Sequence, residues 1–170
     1  IGGGAAGGMI KRVAQNDPKL AGEVYFFGLT DTGARMLAKA LKTNTHVTKL
    51  KVVGDRTENQ LYLESWGSAA KAITDAGVTA LAEALKTNTR VTALDLRGNK
   101  GITDAGGRAL VDMLRANTGV RAIELTYVGS STTGMSNELA KEVERLAKDK
   151  DRARAGTTTA RPSSSLIMSE

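Results

Sequence analysis

The chain has 170 residues, 41% hydrophobic and 25% charged, with a net charge of +6. That is enough for one domain burying roughly 70% of its unfolded surface, and the pI near 9.7 favours acidic partners. Cysteine is absent and His46 is the single histidine, which excludes disulfides, thiolate metal sites and paired-histidine zinc motifs. A Ser-His-Asp triad would have to use His46. Aromatics make up only 4%, a poor supply for stacking bases. No apolar run approaches the roughly 20 residues that cross a bilayer.

The first segment, 1–8, is a Gly-rich arm. "GGGAAG" formally satisfies G-x-G-x-x-G, but no strand precedes it, so a flexible arm is the better account. The chain begins with Ile1, which fits either a removed presequence or a piece of something longer. "MIKRVAQNDP" (9–18) predicts a short helix ended by Pro18 and serving as an N-terminal cap. Val24 and Phe26 then take the inward positions of a first strand.

From Leu29 the chain repeats itself. "LTDTGARMLAKALKTNTHVTKLKV" returns as "ITDAGVTALAEALKTNTRVTALDL" from Ile73 and as "ITDAGGRALVDMLRANTGVRAIEL" from Ile102. The second and third copies start 29 residues apart, the first and second 44 apart, an excess of 15. A unit of this length lies in the leucine-rich-repeat range. Within each unit an apolar stripe at i, i+3 and i+4 (Leu81, Ala84, Leu85) predicts a helix, and Leu94 alternating with Asp95 and Leu96 a short strand. The other stripes are Leu37, Ala40, Leu41 and Leu110, Met113, Leu114; the other inward pairs are Leu50/Val52 and Ile123/Leu125. Thr74 or Asp75 caps the helix start, and Asp31, Asp75 and Asp104 read as caps rather than an acidic cluster. Asn44, Asn88 and Asn117 follow each helix, where asparagine tolerates a left-handed ending. His46 aligns with Arg90 and Gly119, the pattern of a surface turn.

One such unit cannot bury its own apolar face, so stacking supplies the core. The expected fold is therefore α/β: a short right-handed leucine-rich-repeat solenoid over 9–128, with about four parallel strands and convex-side helices. The excess residues form an insertion at about 55–72, carrying Tyr62 and Trp66; it either shields the horseshoe or meets a partner. "GSSTTG" (129–134) is a turn or linker, and a C-terminal capping helix runs to about 156, with Leu139, Val143 and Leu146 on one face. Residues 157–170 have the composition of an extended tail suited to lying against a partner.

Two outward rows cross the presumed concave face. The first is Tyr25, Lys51, Asp95 and Glu124; the second is Phe27, Val53, Arg97 and Thr126. They are either a partner-binding surface or a solvated sheet with Lys51–Asp95 as a small cross-strand ion pair. Lys148, Arg152 and Arg154 form a mild phosphate-binding candidate, diluted by Asp149 and Asp151.

The units resemble leucine-rich repeats of the ribonuclease-inhibitor-like type, in the order "L-x-L", turn, "I-T-D-x-G-x-x-x-L", helix, "T-N-T". The chain also resembles the repeat domain of tropomodulin and leiomodin, through "IKRVAQNDPKL" (10–20), "ALKTNTHVTKLKVVGDR" (40–56) and "LRANTGVRAIEL" (114–125). The resemblance implies actin filament pointed-end capping, although only a Gly-rich arm precedes the repeats and the insertion after Asp55 departs from the family. The residues themselves imply a non-catalytic interaction module, an accessory subunit of a larger assembly. RNA contact through the basic C-terminal region is a third reading. No nucleophile–base pair, metal constellation or phosphate loop is present, so neither an enzyme nor a cofactor is expected. The compartment stays open between cytoplasmic, cytoskeletal and organellar.

Overall fold

Each "T-D-x-G" phrase opens a helix and each "T-N-T" phrase turns the chain into a strand. A computed structural model describes residues 5–54, 72–127, 130–131 and 133–157. In chain order these form α1 (Ala5–Ala14), β1 (Gly22–Phe27), α2 (Asp31–Leu41) and β2 (Val47–Val53). There follow α3 (Asp75–Leu85), β3 (Ala93–Asp95), α4 (Asp104–Ala116) and β4 (Ala122–Glu124). A small pair, β5 (Thr126–Tyr127) and β6 (Ser130–Ser131), precedes α5 (Asn137–Thr157). Strands β1 to β4 make one parallel sheet in sequence order, and the helices pack side by side in the same order. Tyr62 and Trp66 lie outside the described residues, as does the tail from 158.

The core follows the repeat periodicity. Val24, Phe26, Leu50, Val52, Leu94, Leu96, Ile123 and Leu125 are buried from the strand side, and all three helical stripes are buried against them. Every such leucine contributes roughly 1.5–3 kcal/mol relative to exposure, so the interlocked layers hold the stack together.

Four local expectations are corrected. First, α1 begins at Ala5, so the end of the Gly-rich arm is the opening turn of a helix. Second, of the threonine and aspartate cap candidates only the threonine holds: Thr30, Thr74 and Thr103 are the caps, and their hydroxyls accept the N–H of Gly33, Ala76 and Ala105. The aspartates act between repeats instead. Asp31 accepts the Thr74 N–H at 2.8 Å and its hydroxyl at 2.7 Å. Asp75 does the same to Thr103 at 2.8 and 2.7 Å and also accepts the Gly106 N–H at 2.9 Å. A carboxylate has acceptor sites enough for all of these, which a hydroxyl cap lacks. Third, "GSSTTG" is more than a turn, because Ser130–Ser131 pairs antiparallel with Thr126–Tyr127.

Fourth, the repeat asparagines are not left-handed endings. Among the described residues the one non-glycine with positive φ is Asn16, at 52°, which ends α1. Asn44, Asn88 and Asn117 are instead buried rungs of a ladder. The Asn88 amide donates to the carbonyls of Leu41 (2.6 Å) and Asn44 (3.2 Å) in the preceding unit. Its Oδ1 accepts the N–H of Arg90 (2.8 Å) and Val91 (3.0 Å), folding the chain into the strand. Asn117 repeats the pattern toward Leu85 and Asn88, and Asn44 reaches back to the Val13 carbonyl at 2.9 Å.

The ladder also reveals that α5 is a worn fourth copy of the repeat helix. "MSN" at 135–137 stands where "ITD" stands at 102–104, and Val143 and Ala147 fill the buried positions of Leu110 and Leu114. The Ser136 N–H donates to Asp104 at 2.7 Å, as Thr103 does to Asp75. Lys150 then occupies the asparagine position. Its ammonium donates to the Leu114 and Asn117 carbonyls, the two groups that a next asparagine would take. Burial pushes its pKa below that of an ordinary lysine. Lysine donates but cannot accept, so nothing there turns the chain into another strand, and the helix runs on to Thr157.

The Asp104–Ser136 contact carries a pH prediction. The Ser136 N–H holds the Asp104 carboxyl below its ordinary value of 3.8. A depressed folded pKa gives stability that is full above the unfolded value and lost as pH falls through the folded one. Docking of α5 is therefore expected to weaken below about pH 4, and Asp104→Asn to flatten that dependence. Hydrogen-exchange protection of the α5 amides, corrected for intrinsic rates, measures it; equal acid sensitivity in both proteins would reject this contact as the cause.

Candidate functional site

The four-stranded sheet presents its non-core face as the surface to which every repeat contributes. Parallel register aligns Tyr25, Lys51, Asp95 and Glu124 into one row, as the repeat spacing predicts. Phe27 lies beside Val53 in the next row. Tyr25 and Phe27, two residues apart on edge strand β1, are 47% and 54% exposed.

Electrostatics on this face differ from expectation. Lys51 does not pair with Asp95; its ammonium lies 3.0 Å from Glu23, and that hydrogen bond raises its pKa. Asp95 is only 4% exposed and is held by Arg97, whose Nε lies 2.9 Å and Nη2 2.6 Å from its two oxygens. Arg97 also reaches Glu124 at 3.0 Å. A guanidinium fork two residues away on the same strand end outcompetes the flexible lysine one strand over. The result is two charge clusters, Glu23–Lys51 on the β1 side and Asp95–Arg97–Glu124 on the β4 side.

Several candidates leave the contact surface. Val53 and Asp95 are buried, so a partner meets neither side chain directly. β3 ends at Asp95, which puts Arg97 in the following turn, where its carbonyl accepts the Gly54 N–H at 2.9 Å. The Thr126 backbone pairs with Ser131 in the β5–β6 hairpin. Arg152 is exposed on α5 and lies 3.8 Å from Asp149; Arg154 is on the same helix. Lys141, Glu144, Arg145, Lys148, Asp149 and Arg152 line a shallow depression on that helix. The residue that sequence reading missed is Lys150, and the signal was the "MSN" register 33 residues after "ITD".

Among the described residues no group of three or more histidine, aspartate or glutamate side chains could hold a metal ion. Likewise, no described helix is long and apolar enough to cross a membrane.

A leucine-rich-repeat family model matches residues 87–111, which run from the asparagine corner through β3 into α4. The actin-binding site 2 domain of leiomodin-1 superposes with a TM-score of 0.61 at 19% identity, covering 92% of this chain and 97% of that domain. The fold is that of a leucine-rich-repeat protein. The tropomodulin C-terminal domain of Caenorhabditis elegans matches at 14% identity and a TM-score of 0.48, covering 91% of this chain and 99% of that one. No curated protein matches the sequence.

Proposed function

We propose that this protein is a non-catalytic protein-interaction module, an accessory subunit of a larger assembly, that docks through its concave sheet face. The observation supporting this reading is the exposed pair Tyr25 and Phe27 on β1, flanked by the Glu23–Lys51 ion pair. Large aromatics ringed by charge are the usual composition of an interface hot spot, and a solenoid's concave face is the usual place for one. Arg97 and Glu124 supply a polar rim on the far side, while Asp95 fixes Arg97 from beneath.

The test is the double substitution Tyr25→Ser, Phe27→Ser. Both side chains are exposed, so the melting transition is expected to stay within a few degrees of wild type. Native size in gentle lysate is expected to fall from a large particle to the free chain. A loss of about 2 kcal/mol at each hot-spot position corresponds to roughly a thousandfold in affinity. Unchanged co-migration with the assembly would sink the concave-face reading.

The second reading is actin pointed-end capping, and its support is the likeness in fold to the actin-binding site 2 domain of leiomodin-1. Slowed pointed-end growth by the 17.8 kDa chain alone would favour this reading. No effect at saturating protein would remove it.

A further inference from the structure

The convex side carries a feature that neither the concave face nor any local stretch of sequence accounts for. Aligning the four stacked helices by their first residue places Lys42, Lys86, Arg115 and Lys148 at one position, so that every unit contributes a cation. Lys42, Arg115 and Lys148 are exposed and Lys86 half-buried. A second position, seven residues earlier and on the same helix face, holds Arg35, Arg108 and Lys141, all exposed, with Thr79 in the remaining unit. Because α2, α3, α4 and α5 pack in order, each position becomes a row running across the stack.

The helix macrodipole explains only part of this. It favours cations in a last turn, which covers Lys42, Lys86 and Arg115 but not Lys148, midway along α5. The Arg35 row stands near the helix starts, where the dipole gives a cation no benefit. Glu83 lies 2.5 Å from Lys86 and Asp112 lies 3.8 Å from Arg115, but such exposed pairs exchange readily for a stronger anion. Neighbouring helices lie about 8–10 Å apart, so the four-cation row spans roughly 25–30 Å, the length of about eight base pairs. Among the described residues the large exposed apolar side chains, Tyr25, Phe27 and Met36, stand off these rows: two on the sheet, and Met36 about a quarter turn from Arg35 round α2. Cations at regular spacing, with no apolar anchor in line with them among the described residues, suit a regularly charged backbone better than a protein interface.

We infer that the convex rows bind the phosphate backbone of duplex nucleic acid, without reading its bases. This surface is separate from the concave docking face, so one assembly subunit would bridge a protein and a nucleic acid.

The experiment titrates the full chain with a DNA duplex and an RNA duplex of about 20 base pairs, longer than the row. Seven phosphate contacts predict that affinity drops by several thousandfold, on the order of 10³–10⁴, between about 50 and 200 mM salt. In the quadruple variant Lys42→Gln, Lys86→Gln, Arg115→Gln, Lys148→Gln, which keeps three of the contacts, that salt dependence is expected to shrink to about 40-fold. The triple variant Arg35→Gln, Arg108→Gln, Lys141→Gln provides a second test if the first folds poorly. Tyr25→Ser, Phe27→Ser is expected to bind duplex like wild type, which separates this proposal from failure of the concave-face reading. Salt-insensitive or absent binding, or variants with the wild-type salt slope, would overturn it. So would polyglutamate binding as tightly as duplex, since the rows would then serve an acidic polypeptide.

Discussion

Asn88→Ala is expected to destabilise the protein by about 4 kcal/mol or more, an exceptional loss for one residue. The side chain is 4% exposed and satisfies four backbone groups at once. Alanine strands the Asn44 carbonyl in the previous unit and two N–H groups in its own, each costing about 1–3 kcal/mol when buried without a partner, and leaves the Leu41 carbonyl only the Asn44 N–H at 3.3 Å. Because repeats are stabilised by their neighbours, loss of the central rung also uncouples α2 from α3. Urea unfolding measures the effect; a midpoint drop of roughly 1.5 M or more is expected. Asn88→Asp is the informative companion. It keeps the acceptor for Arg90 and Val91 but turns a second oxygen toward the Leu41 and Asn44 carbonyls, so near neutral pH it should lose at least as much as alanine. A loss below about 1 kcal/mol for Asn88→Ala would mean that water or backbone relaxation takes over the rung.

Lys150→Met is the second large effect, at about 2–4 kcal/mol, because it removes the donor to two carbonyls while keeping the aliphatic stem. The site is half-buried, which allows water to recover part of the loss and keeps the figure below that of Asn88. The damage should be local. Hydrogen exchange is expected to speed up in α5 and at the end of α4 before the rest of the stack. Since α5 covers the last repeat with Ala140, Val143 and Ala147, its release would expose the Leu110 and Leu114 layer. Uniform destabilisation without selective α5 opening would show that Lys150 does not close the ladder.

Both effects rest on residues whose roles differ from what local sequence rules suggest. Asparagine after a helix reads as a left-handed ending, and lysine in "KDKDR" as a solvated charge. Their spacing from the repeat start was visible; their partners in neighbouring units were not. The aspartates of "T-D-x-G" are similar, since capping is a local account and the observed bonds cross more than 25 residues of sequence.

The sequence by itself determined the repeat, its two periodicities, the inward residues of each strand and helix, and hence a parallel leucine-rich-repeat stack. That information is legible because burial of an apolar stripe depends on spacing along one chain segment, which any unit displays alone. Tertiary structure decided which surface charges pair, which outward residues stay exposed, and where the stack stops. Lys51 chose Glu23 over Asp95, Val53 sank below the surface, Thr126 entered a hairpin with Ser131, and Lys150 took the place of an asparagine. Those outcomes depend on distances between units, and side-chain reach and competition for one acceptor are settled only when the units are stacked.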